Sequence, residues 1–232
     1  MRDLVVREGR CGALEWGVCS SPYPGQRCSG DACLVRETAS GVLVAVVDGL
    51  GHGEEAHAVA ERALASLEQT AGQPLVACLT ACHAALRGTR GAAVTLVALE
   101  PEHRRRDWVA VGNVDATVVV GRGGESGAGR QHSVPLRGGV VGDRLPQIRQ
   151  STVPFAAGDV LVSATDGLTP AFADAIDVRV RPSAAARALH RRFARADDDA
   201  LVLVVRRGEG AATTFGPRRP ATAFGPRRPG SS

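Results

Sequence analysis

A series of short apolar runs restricts the fold of this chain more than any other feature. The runs are rich in Val, Leu and Ala and are bounded by glycine or charged residues, which is typical of strands. They occupy residues 32–49, 91–100, 106–120, 158–167 and 199–207, and a turn at 39–41 divides the first into two strands. Because several of these strands follow one another directly in the chain, we expect antiparallel sheets with helices packed outside them.

Four segments between these runs predict helices. Glu54–Gln69 carries acids in its first turn and apolar residues at helical spacing. Residues 74–86 begin with a proline and are followed by a glycine, which suits a helix start and stop. Shorter helices are expected at 170–177 and 183–195. Cys78 and Cys82 lie four residues apart on the second helix, and we expect them to be small core residues.

The composition favours one globular domain over residues 1–207. The chain has 232 residues, 44% of them hydrophobic and 22% charged. All 28 basic residues are arginine, which excludes mechanisms that need a lysine, such as a Walker A loop or a Schiff base. Residues 208–232 contain FGPRRP twice, at 215–220 and 224–229. A Pro-, Gly- and Arg-rich segment of this kind predicts a disordered basic tail.

The charge and hydropathy patterns restrict the partners and the location. Residues 1–205 hold 22 arginines and 23 acids, so the body is nearly neutral, which disfavours nucleic-acid binding by the domain itself. The apolar runs are far shorter than the roughly 20 residues of a membrane-spanning helix, and the first 20 residues have no apolar signal region. The six cysteines form no C-x-x-C pair. We therefore expect a cytoplasmic protein with reduced thiols and no membrane partner.

Four aspartates stand at the ends of apolar strands beside small residues. They are Asp31, Asp48, Asp166 and Asp198, the last followed directly by another acid. Such clusters are costly unless a positive group neutralises them. No lysine exists and no arginine lies within four residues of Asp48. A hard divalent cation, Mg²⁺ or Mn²⁺, is the economical solution, because carboxylate oxygens are its preferred ligands.

The glycines around Asp48 predict an open loop before the first helix. We expect Gly49 to turn the backbone and expose its carbonyl to a metal. We expect Gly51 and Gly53 to keep side chains out of the pocket, so that the helix N-terminus faces a bound anion.

Three segments in this order, VVDGLGHG, ATDGL and DDALVLVV, resemble the metal-dependent protein phosphatase 2C (PP2C) superfamily. Within it they resemble the bacterial stage II sporulation protein E branch, and most closely the RsbX-like stressosome feedback phosphatases. PYPGQRCSGDACLV, AVGNVDATVVV and PLRGGVVGDRLPQIR also resemble family segments, so the likeness covers most of residues 16–206. The resemblance implies a four-layer αββα sandwich, an α/β (α+β) fold of two antiparallel sheets flanked by helices.

The resemblance also implies a mechanism. Asp48 would bridge two Mn²⁺ or Mg²⁺ ions, the Gly49 carbonyl and Asp31 would serve one ion, and Asp166 and Asp198 would serve the other. The implied reaction is hydrolysis of phosphoserine or phosphothreonine by a metal-bridging water. His52 would protonate the leaving alkoxide. The implied substrate is a phosphorylated regulatory protein, either a stressosome scaffold or an anti-sigma antagonist of a partner-switching pathway.

Several residues depart from the family pattern. Leu201 stands where the last motif usually has threonine, which removes a hydroxyl beside the metals. The phosphate-binding arginine of larger relatives has no clear counterpart; Arg27 and Arg36 are candidates by proximity in sequence alone. Asn113 is either a residue that faces the site or a turn residue.

Other functions remain alternatives. The main one is a phosphatase-fold module that binds a phosphoprotein without efficient turnover, which the loss at Leu201 would favour. DGLGHG also matches the Asp-x-Gly-x-Gly box of histidine-kinase-type ATPases. That class needs an upstream asparagine on a helix, and the region before Asp48 contains no asparagine.

Overall fold

The computed structural model describes residues 4–121, 131–208 and the backbone of 222–224. The strands are β1 (Val5–Cys11), β2 (Leu14–Ser21), β3 (Asp31–Glu37), β4 (Val42–Gly49), β5 (Ala92–Glu100), β6 (Arg105–Val111), β7 (Asp115–Val119), β8 (Gln131–Ser133), β9 (Ser151–Pro154), β10 (Val160–Ala164), β11 (Ala200–Arg207) and β12 (Thr222–Phe224). The α-helices are α1 (Gly53–Thr70), α2 (Leu75–Leu86) and α3 (Pro182–Phe193), and a 3₁₀ helix covers Pro170–Ala175. The predicted helices are confirmed, with ends shifted by one or two residues.

The strands form two six-stranded antiparallel sheets. The first sheet has the order β1-β2-β11-β10-β7-β8, and the second has the order β12-β3-β4-β5-β6-β9. Many neighbours are consecutive in the chain, as expected for strands that are joined by short turns. The β3–β4 turn spans residues 38–41, at the position that the sequence indicates.

Three apolar clusters define four layers. Along β4, Val42, Val44 and Val46 face the core between the sheets, whereas Leu43, Ala45 and Val47 face α1 and α2. Because successive side chains of a strand point to opposite faces, a strand buried on both faces must be apolar throughout. The first sheet packs its outer face against α3 in the same way. The predicted αββα sandwich is confirmed, and Cys78 and Cys82 are buried in the α1–α2 layer.

The C-terminal segment differs from the sequence-based prediction. Residues 222–224 lie within the predicted disordered tail, yet they form β12 and pair with β3 in register Thr222 to Val35 and Phe224 to Cys33. Without β12, β3 would present an unpaired edge, which native sheets generally avoid. Gly208 is also described, and its N–H donates to the Ala13 carbonyl over 2.9 Å. Residues 209–221 and 225–232 of the predicted tail lie outside the described residues.

Among the helices of the described residues, none combines the length and the apolar character that a membrane span requires.

Candidate active site

The ends of four strands bring the predicted aspartates to one edge of the sandwich. Asp31 begins β3 and lies directly opposite Asp48, the next-to-last residue of β4. Asp166 follows β10 by two residues, and Asp198 precedes β11 by two residues. Since β10 and β11 are antiparallel neighbours, the two sheets each contribute one pair of aspartates.

Hydrogen bonds join these pairs across the two sheets. The hydroxyl of Thr165 donates to Asp31 Oδ2 over 2.7 Å and accepts the backbone N–H of Leu201 over 3.0 Å. The side chain of Asn113 donates to Asp166 Oδ2 over 2.5 Å. Asp48 lies close enough to Asp166 and Asp198 for the charges of both to act on its carboxylate. Asn113 therefore faces the site, and the aspartates of both sheets form one connected cluster.

The cluster accumulates negative charge. Burial, with the charges of Asp166 and Asp198, raises the pKa of Asp48 to about 8. Burial and the charge of Asp48 raise the pKa of Asp31 well above its usual value. Burial and Asp166 raise the pKa of Asp198. Within the part of the chain that the structure describes, no ion pair neutralises Asp31, Asp48 or Asp166.

Divalent cations fit this chemistry. The donor set consists of carboxylate oxygens, which Mg²⁺ and Mn²⁺ prefer, and the raised pKa values reflect a deficit of positive charge. Across residues 4–121 and 131–208, no three acidic, thiol or imidazole groups are already arranged as a metal site. Cations held by Asp31, Asp48, Asp166 and Asp198 would supply the positive charge that such a cluster of carboxylates needs.

Asp199 has a structural role that distinguishes it from Asp198. Its buried carboxylate accepts the N–H of Tyr23 over 2.6 Å and the N–H of Gly30 over 2.9 Å. Asp199 therefore ties the 22–30 loop to β11 and positions Asp31, which is the residue after Gly30. From the sequence, the two neighbouring acids could not be assigned to different tasks.

The glycines have different roles from those predicted. Gly49 does not turn the chain: it is the last residue of β4, and a Cβ there would lie 2.4 Å from the Ala56 carbonyl oxygen. It permits α1 to approach the strand end. The turn is made instead by Gly51 and Gly53, whose φ angles of 91° and 77° favour glycine. That Gly51 and Gly53 also keep side chains out of the pocket stays a prediction.

His52 lies at the start of α1 and is exposed. Its ring stacks on Tyr23, with 4.2 Å between the ring centroids and 16° between the ring planes. Because the Tyr23 backbone is bound to Asp199, this stack fixes the imidazole relative to the same loop that positions Asp31.

The structure also resolves the departures from the family pattern. Leu201 packs into the core between the sheets, and a hydroxyl beside Asp31 comes from Thr165. Arg36 pairs with Glu68 over 3.6 Å, away from the aspartates. Arg27 is exposed. The sequence did not single out Arg90, which forms an ion pair with Glu55 at the start of α1 and lies beside Gly51.

Comparisons with known proteins agree with this geometry. A family model described as stage II sporulation protein E (SpoIIE) matches residues 38–208. The phosphoserine phosphatase RsbX of Bacillus subtilis (strain 168) is 25% identical over 144 residues, covering 62% of this chain and 69% of that relative.

Solved structures share the whole fold. One chain, from work on the bacterial stressosome as a modular system adapted to control secondary messenger signaling, matches with a TM-score of 0.75 and 29% identity over 83% of this chain and 99% of its own. RsbX in complex with magnesium matches with a TM-score of 0.74 and 18% identity, over 88% of this chain and 98% of that one. These matches confirm the predicted fold and enzyme class, a PP2C-type serine/threonine phosphatase. The chain belongs to the SpoIIE family.

Proposed function

We propose that this chain removes phosphate from phosphoserine or phosphothreonine of a small regulatory protein in the cytoplasm. The observation that carries the proposal is the convergence of Asp31, Asp48, Asp166 and Asp198 at one edge of the two sheets. The similarity to RsbX, a phosphoserine phosphatase, and to a chain from stressosome work supports a substrate of the stressosome or partner-switching type.

The aspartates are the residues that would hold two divalent cations. Asp48 lies opposite Asp31 and is near Asp166 and Asp198, so it would serve both ions, with Asp31 and the Gly49 carbonyl serving one ion and Asp166 and Asp198 the other. When bound, the cations would supply Lewis-acid chemistry that acidifies water and stabilises the charge of the phosphoryl group. Magnesium is the ion named for the RsbX structure, and manganese has the same ligand preferences.

Neighbouring polar residues would orient the ligands. Thr165 and Asn113 donate to one oxygen each of Asp31 and Asp166, which leaves the other oxygen of each carboxylate to face a cation. Hydrogen bonds of this kind fix ligand orientation and affect metal affinity and activity. Asp199 contributes indirectly, because it fixes the backbone of Gly30 next to Asp31.

His52 would supply the proton for the leaving oxygen. Hydrolysis joins a water oxygen to phosphorus and breaks the bond to the serine oxygen, which leaves as an alkoxide unless it is protonated. An imidazole at the mouth of the site, held by stacking on Tyr23, is suited to donate its N–H proton to that oxygen.

The test is hydrolysis of p-nitrophenyl phosphate at increasing Mn²⁺. We expect turnover that EDTA removes and that Asp48→Asn abolishes, because the substitution removes the carboxylate that both ions need. Asp174→Asn is the matched control, because Asp174 is exposed on the 3₁₀ helix, and it should retain full activity. Circular dichroism should show that Asp48→Asn remains folded, since the substitution also relieves repulsion among the acids.

Calorimetry with Mn²⁺, combined with the turnover assay, distinguishes an active phosphatase from a module that only binds a phosphoprotein. Turnover that survives in Asp48→Asn would refute the assignment of the cations. Binding of Mn²⁺ without turnover of either the aryl phosphate or a phosphoserine peptide would favour a module that holds a phosphoprotein without hydrolysing it.

A further inference from the structure

Two adjoining cavities lie between α3 and the edge strand β1, separate from the carboxylate site. One has a volume of about 620 Å³ and the other about 320 Å³, and both are lined by Glu8 and Ser183. We call this continuous depression the α3–β1 groove. β1 is the terminal strand of the first sheet, so the groove is bordered by a helix on one side and by the sheet edge on the other.

One face of α3 forms a wall of the groove. Ala184, Arg187, Ala188 and Arg191 all line it and are exposed. Their spacing of three, four and seven residues places them on one side of a helix. Val6 of β1 contributes an apolar contact to the opposite side. The groove therefore has a small apolar floor between two arginines that extend into solvent.

The groove is basic, although the body of the chain is nearly neutral. Six arginines and two glutamates line the two cavities. In the smaller cavity Glu15 forms ion pairs with both Arg10 and Arg206. In the larger cavity Arg187 and Arg191 have no ion pair with a carboxylate in the described part of the chain. Positive charge is thus concentrated at the larger cavity.

The groove leads towards the candidate active site. The C-terminal end of α3 is bound to the loop that follows Asp166: Arg195 donates its N–H to the Gly167 carbonyl over 2.7 Å, and Thr169 donates to the Phe193 carbonyl over 2.9 Å. From Arg187 to the end of α3 the helix rises about 9 Å. An extended peptide covers that length with about three residues.

We propose that the α3–β1 groove docks an acidic segment of the phosphoprotein substrate, which directs a nearby phosphorylated side chain to the aspartates. The proposal rests on the proposed function. Charge complementarity supports this occupant, because acidic side chains would pair with Arg187 and Arg191 while small apolar ones cover Ala184 and Ala188. A concave groove suits a peptide better than a planar lipid surface, and its apolar floor suits a peptide better than a nucleic-acid backbone.

The test uses two synthetic phosphoserine peptides of the same length. One carries four glutamates before the phosphoserine, and the other has glutamine at those four positions. We expect the wild-type protein to hydrolyse the acidic peptide with about tenfold higher kcat/KM at low salt, and we expect Arg187→Glu/Arg191→Glu to remove or reverse this preference. Hydrolysis of p-nitrophenyl phosphate should be unchanged in this variant, because a substrate of this size bound at the aspartates does not extend into the α3–β1 groove.

The matched control is Arg62→Glu/Arg87→Glu. These exposed arginines belong to the helical layer on the other sheet, and the change in net charge is the same. If both double variants lose the preference for the acidic peptide, the effect is one of general charge, and the docking proposal is refuted. Retained preference in Arg187→Glu/Arg191→Glu would overturn it as well.

A binding measurement tests the docking proposal even if the protein does not hydrolyse the peptide. Fluorescence anisotropy of the labelled acidic peptide should show weaker binding to the groove variant than to the control variant, whether or not p-nitrophenyl phosphate is hydrolysed. Absence of hydrolysis of both the aryl phosphate and the phosphoserine peptides would refute the proposed function, and the docking proposal would still be decided by the binding measurement. Equal peptide affinity of the two variants, or binding of the wild type to phosphatidylserine vesicles through Arg187 and Arg191 in place of the peptide, would refute the docking proposal.

Discussion

Thr165 offers the sharpest test of how the site is organised. Its buried hydroxyl donates to Asp31 and accepts from the Leu201 N–H, so one side chain joins the first sheet to a candidate metal ligand of the second. Thr165→Val keeps the shape of the side chain and removes both hydrogen bonds. We expect this substitution to weaken cation binding as well as folding, and the two effects can be calculated separately.

The size of the effect on cation affinity depends on whether Asp31 is protonated or ionised when it accepts the hydrogen bond from Thr165. Because burial and Asp48 raise the pKa of Asp31, its bond to Thr165 in the metal-free protein approaches a neutral one, which contributes about 0.5–1.5 kcal/mol. With a cation bound, Asp31 is ionised and the same bond contributes about 1.5–3 kcal/mol. The difference, about 1–1.5 kcal/mol, corresponds to a roughly five- to tenfold loss of cation affinity. The unpaired Leu201 N–H costs about 1–3 kcal/mol in both states.

Calorimetric titration with Mn²⁺ and thermal unfolding measure the two effects. We expect metal-free Thr165→Val to lose about 1.5–4.5 kcal/mol of unfolding free energy, which lowers the Tm by about 3–18 °C for a domain of this size. Thr95→Val is the matched control: Thr95 is equally buried, and its hydroxyl donates to the Val114 carbonyl over 2.6 Å. The control should lose stability with unchanged affinity for Mn²⁺. Equal Mn²⁺ affinity of Thr165→Val and the wild type would refute the reasoning.

Two further predictions concern His52 and the C-terminal segment. His52→Gln should lower kcat about a hundredfold on a phosphoserine peptide but much less on p-nitrophenyl phosphate, whose leaving group needs no proton; equal losses on both substrates would contradict a role as proton donor. Deleting residues 209–232 should lower the free energy of unfolding by about 1–3 kcal/mol, because a few β12–β3 hydrogen bonds are lost, whereas deleting only 225–232 should leave the Tm unchanged. Equal Tm values for the two truncations would show that β12 does not stabilise the fold.

The hydrophobic pattern of the sequence predicts those structural features that depend on residues close together in the chain. The continuous apolar run of β4 and the helical spacing in α1 depend only on nearby residues, so antiparallel strands with helices outside them were predictable. The four-layer arrangement was implied by the family resemblance. The aspartates at strand ends were recognisable for the same reason, because a carboxylate that interrupts an apolar run needs a specific explanation. The disordered tail was predicted from composition alone, and composition cannot show that residues 222–224 match an unpaired strand edge.

The sequence by itself determined the helices, the apolar runs that form β3–β7, β10 and β11, and the four acidic positions, because hydrophobic periodicity and residue type encode them directly. Tertiary structure alone decided how they cooperate. Thr165 meets Asp31 from 134 positions away, and Asp199 meets Gly30 from 169 positions away. These contacts depend on which strands adjoin and on their register, and no local pattern specifies them. The same holds for the α3–β1 groove, whose arginines are brought beside β1 only when α3 packs on the first sheet.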